Sequence, residues 1–326
     1  MTKKLPLIIN ALFLTAVIAL DGSLASQEVR EISYKSSADQ TLQPAMFFAP
    51  SSQKPVPLMV ALHTWSADYQ SNYNKAIETW CKKNKWAYIH PNFRGPNRRP
   101  EATGSRLVIA DIISSVDFAK KTTSIDPSAI YLVGASGGGH AALLMAGKRP
   151  DLWAGVSAWV PISDLRSWYS QCKANNRKYY KEIDLSCGGP PGKSPEVDRQ
   201  YRDRSPLTFL ANAKGVQLHI HTGIQDGHTG SVPISHSLRA FNEVAKPGDA
   251  LSADQIDFFT KTATVPADLK QPIHDSSYGK KQPLFRRHSG NATLTIFNGG
   301  HEIIPTAAVG WLLKIHLSKA SALQRK

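Results

Sequence analysis

The sequence predicts an α/β fold in which a mostly parallel sheet of eight strands carries helices on both faces. Short apolar runs alternate with helical patterns after the first two or three strands, and parallel strands need such crossover helices. The chain has 326 residues, of which 41% are hydrophobic, so it is long enough for one large core. We therefore expect a single domain over residues 26–326.

The predicted strands are short runs, apolar or alternating, that end at turn-forming residues. They are Glu28–Lys35, Gln43–Ala49, Leu58–Leu62, Trp86–His90, Ile130–Val133, Gly155–Val160, Val216–His221 and Ala292–Phe297. Apolar residues at helical spacing predict helices between them. These are Gln70–Lys83, Arg106–Lys120, Gly138–Gly147, Pro233–Val244 and Pro305–Leu317.

Two stretches interrupt the alternation of strands and helices. Residues 164–205 and 246–290 are polar and contain several Pro and Gly residues, and only the second shows a short helical pattern, near 253–260. Long loops in a compact domain usually serve as lids or binding loops. We expect two loop or lid insertions at these positions.

The first 25 residues have the pattern of an export signal. Lys3 and Lys4 precede an apolar run from Leu5 to Leu20, and small residues follow, ending at Ala25. The alternative is a membrane anchor, but the run is short for a helix that spans a bilayer. We expect cleavage after Ala25 and a secreted or periplasmic protein that is not held in a membrane.

The formal net charge of +14 favours anionic surfaces or substrates, although a solvated basic surface is an equal alternative. The basic residues are scattered and no nucleic-acid-binding motif is present, so we expect no nucleic-acid partner. Three cysteines in an exported chain leave one unpaired. Cys172 and Cys187 are the favoured disulfide pair and Cys81 a buried free thiol. None has metal-site spacing, so we expect no metal.

The sharpest motif is Gly134-Ala135-Ser136-Gly137-Gly138, which lies between a predicted strand and a predicted helix. A sharp strand-to-helix turn exposes the central hydroxyl and tolerates only very small residues two positions away on either side. The following helix directs its N-terminus toward the site, which favours a developing oxyanion. The motif predicts a nucleophile at Ser136. The alternative is a glycine-rich helix start with a capping serine.

A serine nucleophile needs a base, and the base needs a carboxylate that fixes its tautomer. His301 follows the last predicted strand, and Asp226 is the first carboxylate after the strand before it. His301 could instead cap a helix, and Asp226 could be a turn aspartate before Gly227. The competing candidates are His221 within a strand, His228 and His274 in loops, and three carboxylates deep in the second insertion, Asp249, Asp254 and Asp257.

An oxyanion hole needs two backbone N–H donors. One is expected from Gly137, directly after the nucleophile, and the other from the loop after the third strand. In that loop Trp65 is the first choice for the donor and Thr64 the second. His63 is expected to form structural hydrogen bonds in the loop.

These residues resemble the α/β-hydrolase superfamily, and within it the prolyl oligopeptidase-like catalytic domain and related carbohydrate esterases. The resemblance covers roughly residues 40–320 and depends on His63, Asn92–Gly95, Gly134–Gly138, Asp226 with Val232-Pro233, and Gly300-His301. Two features depart from it. Five residues separate Asp226 from Val232, a longer spacing than usual, and Thr64 follows His63 where the family commonly has glycine.

The resemblance implies two-step acyl transfer by Ser136, His301 and Asp226 without a cofactor. We expect a carboxylic ester hydrolase that removes acetyl or feruloyl groups from a polysaccharide or oligosaccharide, or that acts on a small ester. Arg94, Arg98, Trp159 and Trp168 are the expected substrate-binding residues, because arginine clamps carboxylates and aromatic rings stack on sugars.

Two alternatives remain open. One is a prolyl oligopeptidase-like serine peptidase without a propeller domain, since only about thirty mature residues precede the central strands. The other is a non-catalytic binding module that has kept the fold.

Overall fold

The structure, a computed structural model, describes residues 28–323, so the predicted export signal lies outside it. The strands are β1 (Arg30–Lys35), β2 (Leu42–Phe48), β3 (Val56–Leu62), β4 (Ala87–Pro91), β5 (Ile125–Ala135), β6 (Gly155–Trp159), β7 (Leu218–Gly223), β8 (Pro283–Ser289) and β9 (Ala292–Phe297). The helices are α1 (Lys75–Asn84), α2 (Arg106–Thr122), α3 (Gly137–Lys148), α4 (Leu165–Ala174), α5 (Tyr179–Cys187), α6 (Pro195–Arg204), α7 (Ser235–Val244), α8 (Ala253–Thr262) and α9 (Pro305–Leu323).

All of these strands belong to one sheet, in the order β1-β2-β4-β3-β5-β6-β7-β9-β8. The strands from β4 to β9 in that order pair in parallel, and β1, β2 and β8 pair antiparallel at the two edges. The prediction of a mostly parallel sheet is confirmed, but residues 28–323 form nine strands where eight were expected. The missed strand, β8, lies at an edge, where the polar run Arg286-Arg287-His288 does not read as a buried strand.

Helices cover both faces of the sheet, as predicted. Along β3, Leu58 and Val60 point into a core shared with α2, α3 and α7. Met59 and Ala61, on the opposite face, contribute to a second core beneath α1 and α9. This alternation follows from the two-residue period of a strand, and both sets are fully buried because β3 is central in the sheet.

The first insertion is a compact cap of three helices, α4–α6, where we expected an irregular loop. Asp164 and Ser194 cap the N-termini of α4 and α6 through their side chains, which helps such short helices to form. The cap buries a third apolar cluster, which also includes Trp65 and Val232 from loops of the main domain. The cap and these loops therefore share one core.

The cysteines differ in part from expectation. Cys172 and Cys187 are free thiols buried in the cap cluster, so the predicted disulfide is wrong. Cys81 is a buried free thiol, as predicted. We predicted the disulfide because Cys172 and Cys187 are close in sequence, but they lie on two separate helices, α4 and α5.

The second insertion contains α8, which confirms the helix expected near residues 253–260, and the edge strand β8. Within residues 28–323, no helix combines the length and the hydropathy that crossing a membrane requires.

Candidate active site

Ser136 occupies the turn between β5 and α3. Its backbone has φ 56° and ψ −119°, a conformation that non-glycine residues rarely adopt. A Cβ at Gly134 would overlap the backbone of Gly138, so the chain can make this turn only with glycine there. The sharp turn predicted from the motif is therefore present, and it directs the serine hydroxyl away from the sheet.

His301 and Asp226 meet this hydroxyl although both are distant in sequence. His301 Nε2 lies 2.8 Å from Ser136 Oγ, and His301 Nδ1 lies 2.7 Å from Asp226 Oδ2. His301 follows β9 and Asp226 follows β7, so parallel strands bring both to the same edge of the sheet. The three groups form one continuous chain of hydrogen bonds from carboxylate to hydroxyl.

Asp226 is held firmly from its other side. Its Oδ1 accepts hydrogen bonds from the Gly227 N–H at 3.0 Å and the Val232 N–H at 3.2 Å. Burial raises the pKa of the Asp226 carboxyl above its ordinary value, and the hydrogen bond from His301 is the largest influence opposing that rise. The long spacing between Asp226 and Val232 thus forms a loop that folds back onto the carboxylate and satisfies its second oxygen.

Gly230, within this loop, packs directly against the Asp226–His301 pair. A Cβ at Gly230 would overlap Asp226 Oδ1 and would lie 2.6 Å from His301 Cβ. Only a glycine fits at this point of the loop.

Two backbone N–H groups converge beside Ser136. Gly137 begins α3, so its N–H has no partner within the helix. Trp65 lies against it: the Trp65 N and Cα are each 2.5 Å from the position that a Cβ of Gly137 would take. Among residues 28–323, no backbone carbonyl accepts a hydrogen bond from the Trp65 N–H. The structure therefore places Trp65, the first choice from the sequence, next to Gly137.

The peptide between Thr64 and Trp65 is fixed by its carbonyl. The Thr64 O accepts a hydrogen bond from the Ala67 N–H at 3.3 Å and lies 2.9 Å from His63 Nδ1. Because a trans peptide directs its N–H opposite to its C=O, the Trp65 N–H points away from both groups. The close contact of Trp65, and not of Thr64, with Gly137 favours Trp65 as the second donor.

His63 is structural, as predicted. Its ring is fully buried, stacks on Phe93 with centroids 3.9 Å apart, and has Nε2 2.8 Å from the Asn92 O. Burial lowers the pKa of His63, which keeps the ring neutral. A neutral imidazole carries one N–H, so only one of these two contacts with carbonyl oxygens is a hydrogen bond.

Three of the four predicted substrate-binding residues are not available to a substrate. Arg94 is buried and donates to Asp111 at 2.6 Å and to Asp39 at 2.9 Å, so the prediction that it clamps substrate is wrong. Its guanidinium instead ties the loop after β4 to α2 and to the turn between β1 and β2.

Trp159 and Trp168 are also wrong as substrate ligands. Trp159 is fully buried, with its ring stacked 3.7 Å from that of His221 and its indole N–H donating to Ser157 Oγ at 2.9 Å. Trp168 is 1% exposed and donates to the Ser231 O at 2.9 Å. Burial removes the large apolar surface of each ring from water, and this stabilises both rings in the core. Arg98 is exposed, and its role stays a prediction.

Sequence reasoning missed two residues near the site. Glu182 on α5 accepts a hydrogen bond from the Trp65 indole Nε1 at 2.7 Å. Tyr73, in the turn before α1, is 40% exposed and receives a hydrogen bond from the Ile303 backbone, two residues after His301. No local pattern could have linked either one to the triad, because both contacts are formed only by the tertiary fold.

The sequence around these residues matches a known protein family. The model of the prolyl oligopeptidase family matches residues 88–257, more than half of the chain, including Ser136 and Asp226. The chain belongs to the prolyl oligopeptidase family. It is therefore an enzyme of the serine hydrolase class with an α/β-hydrolase fold.

Solved structures share this fold at low sequence identity. A puromycin hydrolase matches with a TM-score of 0.60 at 16% identity, over 89% of this chain and 38% of its own. A puromycin-hydrolyzing peptidase from Mycobacterium tuberculosis has a TM-score of 0.57 at 16% identity, over 90% of this chain and 38% of its own.

An acylaminoacyl peptidase in complex with Z-Gly-Gly-Phe-chloromethyl ketone has a TM-score of 0.54 at 19% identity, over 67% of this chain and 35% of its own. At these identities the likeness shows the fold alone. The present chain spans little more than a third of the length of the chains in these structures. No curated protein matches it.

Proposed function

We propose that this serine hydrolase is a peptidase that cleaves amide bonds through an acyl-enzyme on Ser136. The observation that carries the proposal is the chain of hydrogen bonds from Asp226 Oδ2 through His301 to Ser136 Oγ, with separations of 2.7 and 2.8 Å. These distances lie within the range that proton transfer between a nucleophile and its base requires.

In the first half of the reaction Ser136 Oγ attacks the substrate carbonyl while His301 Nε2 takes the hydroxyl proton. Asp226 accepts the Nδ1–H, which fixes the tautomer and stabilises the imidazolium. The carbonyl oxygen becomes an oxyanion that accepts hydrogen bonds from the N–H groups of Gly137 and Trp65. His301 then protonates the leaving nitrogen, and the C–N bond breaks.

In the second half water replaces the leaving amine. His301 removes a proton from the water, which attacks the acyl carbon, and the same two N–H groups hold the second oxyanion. Return of the proton from His301 to Ser136 Oγ releases the acid and regenerates the free enzyme.

Two considerations favour amide bonds over the esters that we expected from the sequence. The esterase hypothesis depended on Arg94, Trp159 and Trp168 as cleft residues, and all three are committed to buried contacts. Family membership and the peptidases among the solved structures of the same fold favour a peptidase. An ester hydrolase for acylated polysaccharides is the competing proposal.

The test is a panel of substrates for the purified protein. Peptide anilides and N-acylated dipeptides represent the peptidase, and acetylated xylan and feruloyl oligosaccharides represent the esterase. We expect measurable kcat/KM on at least one amide series, and Ser136→Ala should lower its kcat by about 10⁴- to 10⁶-fold. Hydrolysis confined to the polysaccharide esters would contradict the peptidase. Unchanged hydrolysis by Ser136→Ala would contradict the acyl-enzyme, as would labelling of another serine by a fluorophosphonate.

A further inference from the structure

The α4–α6 cap contributes a residue to the loop that holds the proposed oxyanion donor. We propose that Glu182 is a positioning residue that fixes the orientation of Trp65, and with it the Trp65 N–H. This inference rests on the proposed function, because it assigns Glu182 a part in stabilising the oxyanion.

The contact between the two residues is enclosed and directional. The Trp65 indole N–H donates to Glu182 Oε2 at 2.7 Å, and the Trp65 residue is only 3% exposed. The other carboxylate oxygen, Oε1, lies 3.2 Å from Nζ of Lys178, the residue directly before α5. Each oxygen therefore has its own partner, and the ion pair with the exposed Lys178 contributes little beside the enclosed hydrogen bond from the indole.

The backbone and the ring of Trp65 are held by different parts of the molecule. The Trp65 carbonyl accepts hydrogen bonds from Asn97, from its backbone N–H at 2.8 Å and its side-chain amide at 3.2 Å. The ring instead contacts the cap, through Glu182 and through the Trp168 ring with centroids 4.7 Å apart, and also lies 6.3 Å from the His140 ring on α3. The hydrogen bond to Glu182 on α5 is the polar contact of the Trp65 ring.

A change in the side-chain torsions of Trp65 would reach the nucleophile turn. Without the carboxylate, the buried indole N–H would lack an acceptor and the ring would be driven to turn toward another acceptor or water. The Trp65 Cα has no free space on the side of Gly137, where the two backbones are in close contact. A turn of the ring that displaces the Trp65 backbone therefore changes the angle between its N–H and the N–H of Gly137.

A misplaced Trp65 N–H should lower kcat. An oxyanion donor acts only when it lies within about 2.7–3.1 Å of the developing charge, and removing one such donor costs about 10²- to 10³-fold in kcat. Misplacing the Trp65 N–H without removing it should cost less, about tenfold in kcat. KM should change little, because the interaction strengthens only in the transition state.

The experiment combines four variants: Glu182→Ala, Glu182→Gln, Trp65→Phe and the double variant Trp65→Phe/Glu182→Ala. kcat and KM are measured for p-nitrophenyl acetate and for a peptide anilide, and thermal unfolding confirms that each variant is folded. Glu182→Gln keeps an acceptor oxygen, so we expect it to recover most of the rate that Glu182→Ala loses. Trp65→Phe keeps a ring but removes the indole donor, so the double variant should be no slower than the slower single variant.

Lys178→Met is the matched control, since it removes the neighbouring ion pair but leaves the indole hydrogen bond. We expect wild-type kcat for this variant. An equal loss in Lys178→Met and Glu182→Ala would overturn the inference, as would multiplying losses in the double variant or a Glu182→Gln variant as slow as Glu182→Ala.

The two proposals fail in distinguishable ways. If Ser136→Ala is inactive while folded Glu182→Ala has wild-type kcat, the role of Glu182 is refuted and the acyl-enzyme stands. If Ser136→Ala retains full activity, the proposed function itself is refuted. If Glu182→Ala does not fold, Glu182→Gln and Trp65→Phe still decide the matter, because a role through the indole requires Trp65→Phe to be slow and Glu182→Gln to be fast.

Discussion

Substitution of Gly230 by alanine should disable the site through a single added methyl group. The Gly230 backbone lies outside the left-handed region, so alanine is compatible with its conformation. The effect of the substitution therefore depends only on whether the added Cβ fits among its neighbours. That space is already filled: the new Cβ would overlap Asp226 Oδ1 and lie 2.6 Å from His301 Cβ. Either the carboxylate or the loop that carries Gly230 must move.

Both movements break the chain of hydrogen bonds at the catalytic pair. A shifted Asp226 loses its 2.7 Å contact with His301 Nδ1, and a shifted loop loses the 3.2 Å bond from the Val232 N–H. Loss of the carboxylate's control over the histidine tautomer costs about 10⁴-fold in kcat in a serine protease. A partial displacement should therefore lower kcat by about 10²- to 10⁴-fold, and overpacking should lower the free energy of unfolding by about 1–3 kcal/mol.

The assay compares kcat, the rate of inactivation by a fluorophosphonate, and the free energy of unfolding in urea. Gly248→Ala is the matched control, because no atom lies within 4 Å of its added Cβ and its backbone also tolerates alanine. We expect wild-type values for that control. A Gly230→Ala enzyme with wild-type kcat and stability would refute the argument that this loop position must be glycine.

Three further predictions follow from buried groups and from the N-terminus. Arg94→Ala should lower the free energy of unfolding by about 3–5 kcal/mol in urea titrations, because it leaves the fully buried Asp111 carboxylate unpaired, while KM of the folded enzyme stays unchanged. Cys172 and Cys187 should resist alkylation by iodoacetamide at pH 8 until the protein is denatured, because burial raises the pKa of each thiol to about 12 and few thiolates exist at that pH. Protein recovered from the periplasm or medium should begin at Ser26 by N-terminal sequencing, because the signal is expected to be cleaved after Ala25.

Each of these has a clear contrary outcome. A large increase in KM for Arg94→Ala would restore the substrate clamp that the buried ion pair excludes. A disulfide found between the two cap cysteines by non-reducing mass spectrometry would contradict the free thiols. An intact N-terminus on protein that remains with the membrane fraction would favour the anchor over the signal.

The triad was predictable because its rules are local or topological. The sharp turn at the nucleophile requires glycine two positions before and two positions after the serine. This spacing can be read directly from the sequence. His301 and Asp226 could be chosen because a parallel sheet brings the ends of successive strands to one edge, so the order of strands identified them without any contact being known. The same logic identified Gly137 and Trp65.

The remaining parts of the site depend on where side chains point after packing. An aromatic residue near the end of a strand, such as Trp159, reads equally as a ligand for substrate or as core, and burial in the tertiary structure decided for the core. The cap helices were hidden because each is short, and because the segment between α5 and α6 is rich in Pro and Gly. Glu182 was not predictable, since a lone glutamate in an insertion carries no sign of the indole that it will meet.

The shared core of the cap and the main domain bears on how a substrate reaches Ser136. If the cap swung away from the sheet, Trp65 and Val232 would be exposed to water, and the Trp168 indole would lose the carbonyl of Ser231. Such a hinged motion would have to overcome the cost of uncovering this apolar surface at every turnover. Selection among substrates by size would then fall to an entrance of fixed width, without any moving part.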